Sequence, residues 1–389
     1  MNRGASTQDR VLIAGAGPAG LTVAALLAEA GVAATVLESE AALPTNLRAS
    51  TFHPPTLEML DRFGATEKLV AQGLIAPTFQ YRDRAAGKLA EFDFGELADV
   101  TTRPYRLQCE QYKLNFALKD YVEAQGGVEI RFDAAVAAVE QSSDGVAAVL
   151  AGGERIEGRW LVGADGARSA VRQSVGIPFE GFTWPEAFLV VSTPFPFEDA
   201  FDDLCWVNYF ADPEEWFFLL RAPDFWRVMF PTGPEESEAE IFDAAKIQRR
   251  LNRVLPRPDP YPIAHTTLYK VHQRVAERYR AGRVFLAGDA AHINNPLGGM
   301  GMNGGIHDAI NLADKLRQVW FDGADYSPLF AHYTRQRRKG QIDYVQAQSI
   351  QNKETLGERD PILRAEKLAA IRHQSETPAL HDAFIRRSC

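Results

Sequence analysis

Two rhythms of apolar residues run along this chain, and they divide it. Val11-Leu-Ile-Ala14 is a short unbroken apolar run, the pattern of a strand buried on both faces. Leu21 to Ala30, rich in leucine and alanine, reads as a helix that ends at Gly31. Ala33 to Leu37 is a second strand, closed by Glu38. Helical spacing returns over Pro55 to Phe63 and over Tyr105 to Ala124, where Leu114, Leu118 and Tyr121 share one face. Val128 to Phe132, Ala135 to Gln141 and Val146 to Leu150 read as sheet segments. Trp160 to Gly163 is another buried strand, with a short helical end at Val171 to Val175. Arg283 to Ala287 repeats the buried-strand pattern, and helices are expected from Asn303 to about Arg317 and over Leu329 to Gln348.

The second rhythm is alternating and aromatic. It appears over residues 76–102 and again over 176–271, where Phe182, Trp184, Phe188, Trp206, Tyr209 and Trp216 crowd the chain. Trp216 to Arg221 and Phe225 to Phe230 look like two strands joined by Ala222-Pro-Asp224; helical spacing returns near Ile241 to Val254. The expectation is an α/β protein, α+β overall, in which a β-rich domain is inserted into a parallel-sheet domain. The parallel-sheet domain is assigned residues 1–75, 103–175 and 272–345. The inserted domain takes 76–102 and 176–271, and 346–389 forms a charged C-terminal segment, helical in parts.

Composition narrows the partners. Net charge is −9, which argues against nucleic acid or an anionic membrane surface. No apolar run reaches the ~18–20 residues of a membrane span, and the short polar start lacks a signal-peptide pattern. Three scattered cysteines, Cys109, Cys205 and Cys389, have no metal-ligand spacing and fit a reduced, cytoplasmic setting. No metal site is expected.

The chemistry lies in three motifs. The first is Gly15-Ala-Gly17-Pro-Ala-Gly20 between strand and helix. Gly15 permits a tight turn, Gly17 lets backbone approach a pyrophosphate, and Gly20 lets helix and strand pack closely. Glu38, eighteen residues beyond Gly20, is placed to accept hydrogen bonds from a ribose. Strand, glycine turn, helix, strand and acid together read as a dinucleotide site. The second motif is Gly163-Ala-Asp165-Gly166-Ala-Arg168-Ser169, in which Asp165 is either a helix cap or a ligand contact. The third is Gly288-Asp289-Ala-Ala-His292, followed by Pro296, Gly299, Gly301, Met302 and Asn303. Arg48 is either a phosphate contact or a surface residue, and His53 is similarly ambiguous. Arg227 is either a strand-edge residue facing water or a receptor for a carboxylate or phenolate.

Taken together these motifs resemble the single-component FAD-dependent aromatic hydroxylases of the para-hydroxybenzoate hydroxylase type, over roughly residues 10 to 345. The resemblance implies a Rossmann-like FAD domain. Gly15, Gly17 and Gly20 would face the FAD pyrophosphate and Glu38 the adenosine ribose. Arg48 and Gln111 would lie near the pyrophosphate and ribityl side, and Asp289 on the ribityl chain. Pro296 would pack beside the flavin, with the backbone from Gly299 to Asn303 at its pyrimidine edge. Asp165 and Arg168 correspond to a motif associated with both FAD and NAD(P)H. Arg227 falls where some relatives carry a substrate-binding arginine, but Met229 stands where the para-hydroxybenzoate pattern has a tyrosine.

The implied activity is monooxygenation of a small aromatic ring, phenolic or N-heteroaromatic and with or without a carboxylate. NADH or NADPH is the transient electron donor, O2 the oxidant and a flavin C4a-hydroperoxide the oxygenating species. Tyr209 is the candidate for assisting loss of a phenolic proton, against the alternative that it is core. His292 reads as structural. The protein would be a monomer or homodimer. A flavin dehydrogenase or oxidase of the same fold, or a non-catalytic FAD-binding redox protein, are the alternatives. A flavin-dependent halogenase is excluded because Phe182-Thr-Trp184-Pro185 lacks the WxWxIP pattern.

Overall fold

The computed structural model describes residues 9–322 and 325–387. Val11–Ala14 sits inside a six-stranded sheet, parallel to Trp160–Gly163 on one side and Ala34–Leu37 on the other. Val128–Arg131 extends the sheet beyond Ala34–Leu37, and Val284–Leu286 extends it beyond Trp160–Gly163. Parallel neighbours need long crossovers, and helices supply them. Pro18–Glu29 is buried from Ala19 to Ala28, and packs against helices Gln111–Gln125 and Met300–Phe321. That double cover explains why the strands carry apolar residues at every position rather than at alternate ones.

Between Trp160–Gly163 and Val284–Leu286 the chain leaves to build most of a second sheet. Its eight strands run His292–Ile293, His265–Ala276, Phe179–Thr193, Trp226–Pro231, Phe217–Arg221, Val207–Ala211, Thr78–Asp83 and Gly87–Asp93. Here alternation governs. Phe188, Val190, Tyr209 and Met229 join the core on one face. Leu189, Val191, Phe210 and Val228 join another, closed by Ile247 and Leu251 of helix Ala244–Val254. Most of the aromatics are therefore ordinary core, as their type suggests.

Several expectations shift. The helix expected from Tyr105 begins at Gln111, because Arg106–Gln108 pairs as a strand with Thr51–Phe52 and Leu74–Ala76. The helix expected from Asn303 begins at Met300. In 76–102, strand ends at Asp93 and a single 3-10 turn, Phe94–Leu97, follows. Strand His265–Ala276 crosses the expected boundary at residue 271, and His292–Ile293 pairs with it. The C-terminal segment is core as well as surface. Helices Pro361–Glu376 and Pro378–Arg387 bring Leu368 and Ile385 into the second sheet's core. The Phe384 ring lies 4.6 Å from Phe92, and Arg364 pairs with Asp83.

Among the described residues no helix is long and apolar enough to cross a membrane. Cys109 is buried, and burial pushes its thiol up to about 12. Burial likewise pushes Cys205 up to about 11. Both stay protonated near neutral pH; Cys109 acts as a small core residue, and Cys205 is half-buried. Cys389 lies outside the described residues.

Candidate active site

The carboxyl ends of the parallel strands face the second sheet across a cleft of about 1850 Å³. Drug-sized ligands occupy about 300–1,000 Å³, so there is room for more than one. At one end lies the glycine turn. Gly15 has φ +98°, and an added Cβ would stand 2.5 Å from the Ala164 carbonyl oxygen. Gly17 would meet nothing within 4 Å, because it faces the open cleft. Gly20 is different: its added Cβ would lie 2.0 Å from the Gly15 carbonyl oxygen, and it is not part of the cleft wall. It serves helix-to-turn packing and does not face a pyrophosphate, which corrects the expectation drawn from resemblance.

Glu38 closes this end. Its Oε2 accepts a hydrogen bond from the Ala16 N–H at 2.6 Å, and its Oε1 accepts from Ser39 and the Glu40 N–H. The carboxylate is thereby fixed at the tip of its strand. Asp165 accepts from Ser169 Oγ at 2.6 Å and from the Val171 N–H at 3.0 Å. The N-cap of helix Ala170–Ser174 is Ser169, not Asp165; Asp165 braces that cap and also lines the cleft. Burial pushes its carboxyl pKa up, against these hydrogen bonds.

Midway, Asp289 opens onto the cleft from the turn after Val284–Leu286. Surrounding protein pushes its pKa up, while His292 and Arg48 pull it down. Arg48 lines the opposite wall. Gln111 begins helix Gln111–Gln125, and its N–H donates to the Ala49 carbonyl at 2.9 Å. Pro296, Gly299, Gly301 and Met302 line the next stretch. Gly299 is left-handed, φ +67°, and turns the chain into helix Met300–Phe321. The unsatisfied N–H groups of a 22-residue helix therefore point at the cleft, and favour negative charge there.

Asn303 is not on the cleft wall. Its Nδ2 donates to the Thr51 and Gly299 carbonyls, at 2.9 and 2.6 Å, and its Oδ1 accepts from the His53 N–H. Its side chain locks the loop; contact with a cofactor is left to the neighbouring residues. His53 completes the lock, with Nε2 2.9 Å from the Gly298 carbonyl oxygen. His292 is buried with Nε2 2.6 Å from Asp308 Oδ2, and Arg337 Nε donates to the other oxygen at 2.6 Å. This is the structural role expected of it.

The far wall is the near face of the second sheet. One row across it runs Tyr81, Tyr209, Phe218, Met229 and Val190 in direct register. Tyr209 is 2 % exposed and stacks on Tyr81 at 5.0 Å. Burial pushes its phenol pKa up, so the hydroxyl stays protonated near neutral pH and does not act as an anionic base. Arg227 lies in the next row between Leu220 and Ser192, on an interior strand and not at an edge. Its Nη1 donates to the Arg48 carbonyl at 2.7 Å and its Nη2 to the Leu47 carbonyl at 3.2 Å. The water-facing reading is thus corrected: Arg227 ties the cofactor-side segment 47–50 to the sheet. Sequence reasoning missed Arg106, Gly298 and Thr51. A lone arginine after Pro104 carries no local signal, because its neighbours come from distant strands.

A cleft with a glycine turn and a fixed carboxylate at one end and an apolar sheet at the other has the form of a dinucleotide site beside a substrate pocket. Residues 8–348 match the model of the FAD binding domain family, and the chain belongs to that family. It is 33% identical over 387 residues to para-nitrophenol 4-monooxygenase of Pseudomonas sp. strain WBC-3, covering 97% of this chain and 95% of that protein. It is 35% identical over 360 residues to 6-hydroxy-3-succinoylpyridine 3-monooxygenase of Pseudomonas putida strain S16, covering 92% and 91%. The crystal structure of p-nitrophenol 4-monooxygenase from Pseudomonas putida DLL-E4 superposes with a TM-score of 0.91, at 32% identity and 97% of both chains. The protein is an FAD-dependent aromatic-ring monooxygenase.

The residues fit that cofactor on physical grounds. Gly17 leaves backbone open to a pyrophosphate, Glu38 is a fixed acceptor, and the start of Met300–Phe321 offers free donors at the other end.

Proposed function

We propose that this chain uses NAD(P)H and O2 to hydroxylate a small phenolic or hydroxypyridine ring at the carbon opposite the hydroxyl. One observation carries the reading. The cleft runs without a break from Glu38, past Asp289 and the first turn of Met300–Phe321, to the apolar row Tyr209, Phe218, Met229 and Val190. A ring resting on that row lies beside the helix N-terminus. Gly15, Gly17, Glu38, Arg48, Gln111, Asp165 and Asp289 would hold the FAD, with Pro296 and the backbone of Gly299, Gly301 and Met302 about its ring. FAD, when bound, supplies electron transfer and oxygen activation. The protein contributes position, exclusion of water by the apolar row, and a helix terminus that stabilises negative charge.

The ring position follows from the names of two relatives. Position 4 of para-nitrophenol and position 3 of 6-hydroxy-3-succinoylpyridine both lie opposite the hydroxyl, and both already bear a substituent. For a nitrophenol the new C–O bond replaces the C–N bond, and nitrite leaves with the bonding pair. NAD(P)H supplies two electrons, the second oxygen atom becomes water, and the ring product is a quinone.

The test is turnover of purified, FAD-loaded protein with isotopically labelled O2 and a panel of para-substituted phenols and hydroxypyridines. The expected result is substrate-stimulated NAD(P)H oxidation with one labelled oxygen atom in the ring product. Equal turnover without O2 would mark a dehydrogenase instead. NAD(P)H oxidation that yields only hydrogen peroxide with every ring would also defeat the proposal.

A further inference from the structure

Among the described residues four arginines are buried: Arg82, Arg106, Arg172 and Arg250. Three have their charge answered within the chain. Arg82 donates to Gln80 and to the Asp202 and Asp203 carbonyls. Arg172 donates to the Ala290 and Ala167 carbonyls at 2.9 Å each. Arg250 pairs with Glu215 and Glu236. Arg106 is the exception. It is 5 % exposed and stands on the cleft wall; like Arg82 and Arg172 it forms no ion pair with a carboxylate among the described residues, but unlike them it donates to no backbone carbonyl. Its Nε has no hydrogen-bond partner, a feature it shares with Arg82 Nε. The guanidinium carbon lies 4.6 Å from the Phe79 ring centre and 4.9 Å from that of Phe94. The Tyr209 hydroxyl lies beside it, and Arg106 and the Gly298 N–H both draw the Tyr209 pKa down against the effect of burial.

Ring faces and one phenol only partly offset the desolvation of a buried cation. The missing partner is an anion, and the open side of Arg106 is the cleft. The neighbouring wall is aromatic and apolar, which suits a flat ring carrying one anionic oxygen. We propose that Arg106 is the specificity-determining contact that receives the ionised ring hydroxyl of the substrate, with Tyr209 as its neighbour. Arg106 stays charged and takes no proton; it lowers the pKa of the bound phenol, so the ring enters the reaction as the more electron-rich phenolate. The contact also touches the cofactor side. Tyr209 lies beside both Arg106 and Gly298, whose carbonyl is held by His53 at 2.9 Å. The identity of the ligand rests on the ring hydroxylation proposed above; the unanswered cation does not.

The probes are para-nitrophenol and its methyl ether, para-nitroanisole, titrated into FAD-loaded wild type, Arg106→Met and Arg106→Lys. Phenolate absorbance reports the ionisation of the bound ring. In the wild type the bound phenol is expected to ionise at lower pH than the free phenol. Arg106→Met is expected to weaken nitrophenolate binding about tenfold to a hundredfold, with the ether changed less than about twofold. Arg106→Lys should recover part of the loss. Retained FAD and an unchanged thermal midpoint show that the variants are folded. The wild-type titration needs no variant: if the bound ring ionises at the same or a higher pH than the free one, or neither probe binds, the proposal is overturned. Equal losses for both probes in Arg106→Met would make Arg106 structural and overturn it too. Shifted ionisation without oxygenated product from any ring would defeat the hydroxylation reading alone. Equal oxygenation of phenols and their ethers would defeat the Arg106 proposal alone.

Discussion

The two sheets put their chemistry in different parts of the chain. On the parallel sheet the functional groups are mostly backbone, the turn at Gly15 and Gly17 and the start of Met300–Phe321, joined by carboxylates at strand ends. On the eight-stranded sheet they are side chains drawn from separate segments. Tyr209, Phe218, Met229 and Val190 meet only after four strands have come together, and Arg106 joins them from the separate three-stranded sheet. A dinucleotide is common to a whole family, so the backbone shape that receives it is written locally and in glycines. A substrate ring is particular to one enzyme, and side chains on a fixed sheet can change without altering the fold.

The sharpest way to break this contrast is at the glycines. Gly15→Val puts a side chain 2.5 Å from the Ala164 carbonyl oxygen at φ +98°. The expected result is failure to retain FAD, together with a stability loss of more than about 3 kcal/mol. Gly17→Ala meets no protein atom within 4 Å, so it should fold as the wild type does and lose only FAD affinity. The FAD-to-protein absorbance ratio and the thermal midpoint separate the two. If Gly17→Ala unfolds and Gly15→Val does not, the assignment of one glycine to the chain and the other to the ligand is wrong.

The next largest effect lies where the sheets are joined. His292, on the edge strand of the second sheet, meets Asp308 of Met300–Phe321, and Arg337 of helix Tyr326–Gly340 completes the group. Burial pushes the Asp308 carboxyl up, but His292 and Arg337 prevail and hold it at about 2. Asp308→Asn leaves Arg337 without its carboxylate and should remove about 3–5 kcal/mol at neutral pH. The folded-state pKa is depressed, so the carboxylate's contribution is complete above the ordinary Asp value. It is lost as pH falls through about 2. The gap between wild type and variant should therefore be constant from pH 5 to 7 and narrow in strong acid. Urea unfolding at several pH values reads it; a gap that widens in acid would refute the assignment.

Legibility followed the same contrast. Strand Val11–Ala14, its glycine turn and Glu38 were readable because each constraint lies within some thirty residues and has a period or a φ requirement behind it. The insertion was readable as a change from unbroken to alternating apolar runs. The helix start at Met300 was placed three residues late, because Gly299, Gly301 and Gly304 mask a helix that packing and the Asn303 side chain enforce. Asn303 fell in the right loop, but its side chain's partners, Thr51 and His53, lie some 250 residues away and left no local signal. Arg227 was picked out for its apolar setting, but its hydrogen bonds reach segment 47–50, on the cleft wall, some 180 positions away. Arg106 had no local signature. Its isolation from carboxylates is a property of the folded neighbourhood.

Arg227→Ala sharpens the comparison at the place where a sheet side chain supports the cofactor wall. It deletes hydrogen bonds from a cation to the Leu47 and Arg48 carbonyls, while Tyr269 still holds Leu47 at 3.2 Å. Segment 47–50 should loosen, and FAD affinity should fall about tenfold. Ring binding in FAD-saturated protein should change less than about twofold. Selective loss of ring affinity would restore Arg227 as the substrate receptor.

The smallest expected effect probes whether the two regions are coupled. Tyr209→Phe keeps the ring stacked on Tyr81 at 5.0 Å and removes only the hydroxyl between Arg106 and the Gly298 N–H. One neutral hydrogen bond is worth about 1 kcal/mol, so phenolate affinity should fall about fivefold or less. Stability should fall by about 1 kcal/mol, because Arg106 and the Gly298 N–H lose the hydroxyl beside them. The informative quantity is the ratio of oxygenated product to NAD(P)H consumed. If Tyr209 only fills space, that ratio stays at the wild-type value. If its hydroxyl registers the ring-binding end against the Gly298 loop, the ratio falls with hydrogen peroxide making up the difference, even when the ring site is saturated. A proton-transfer role would instead lower the rate at constant ratio. That would leave the sheet side chains and the cofactor loop as independent parts, and the contrast between the two regions complete.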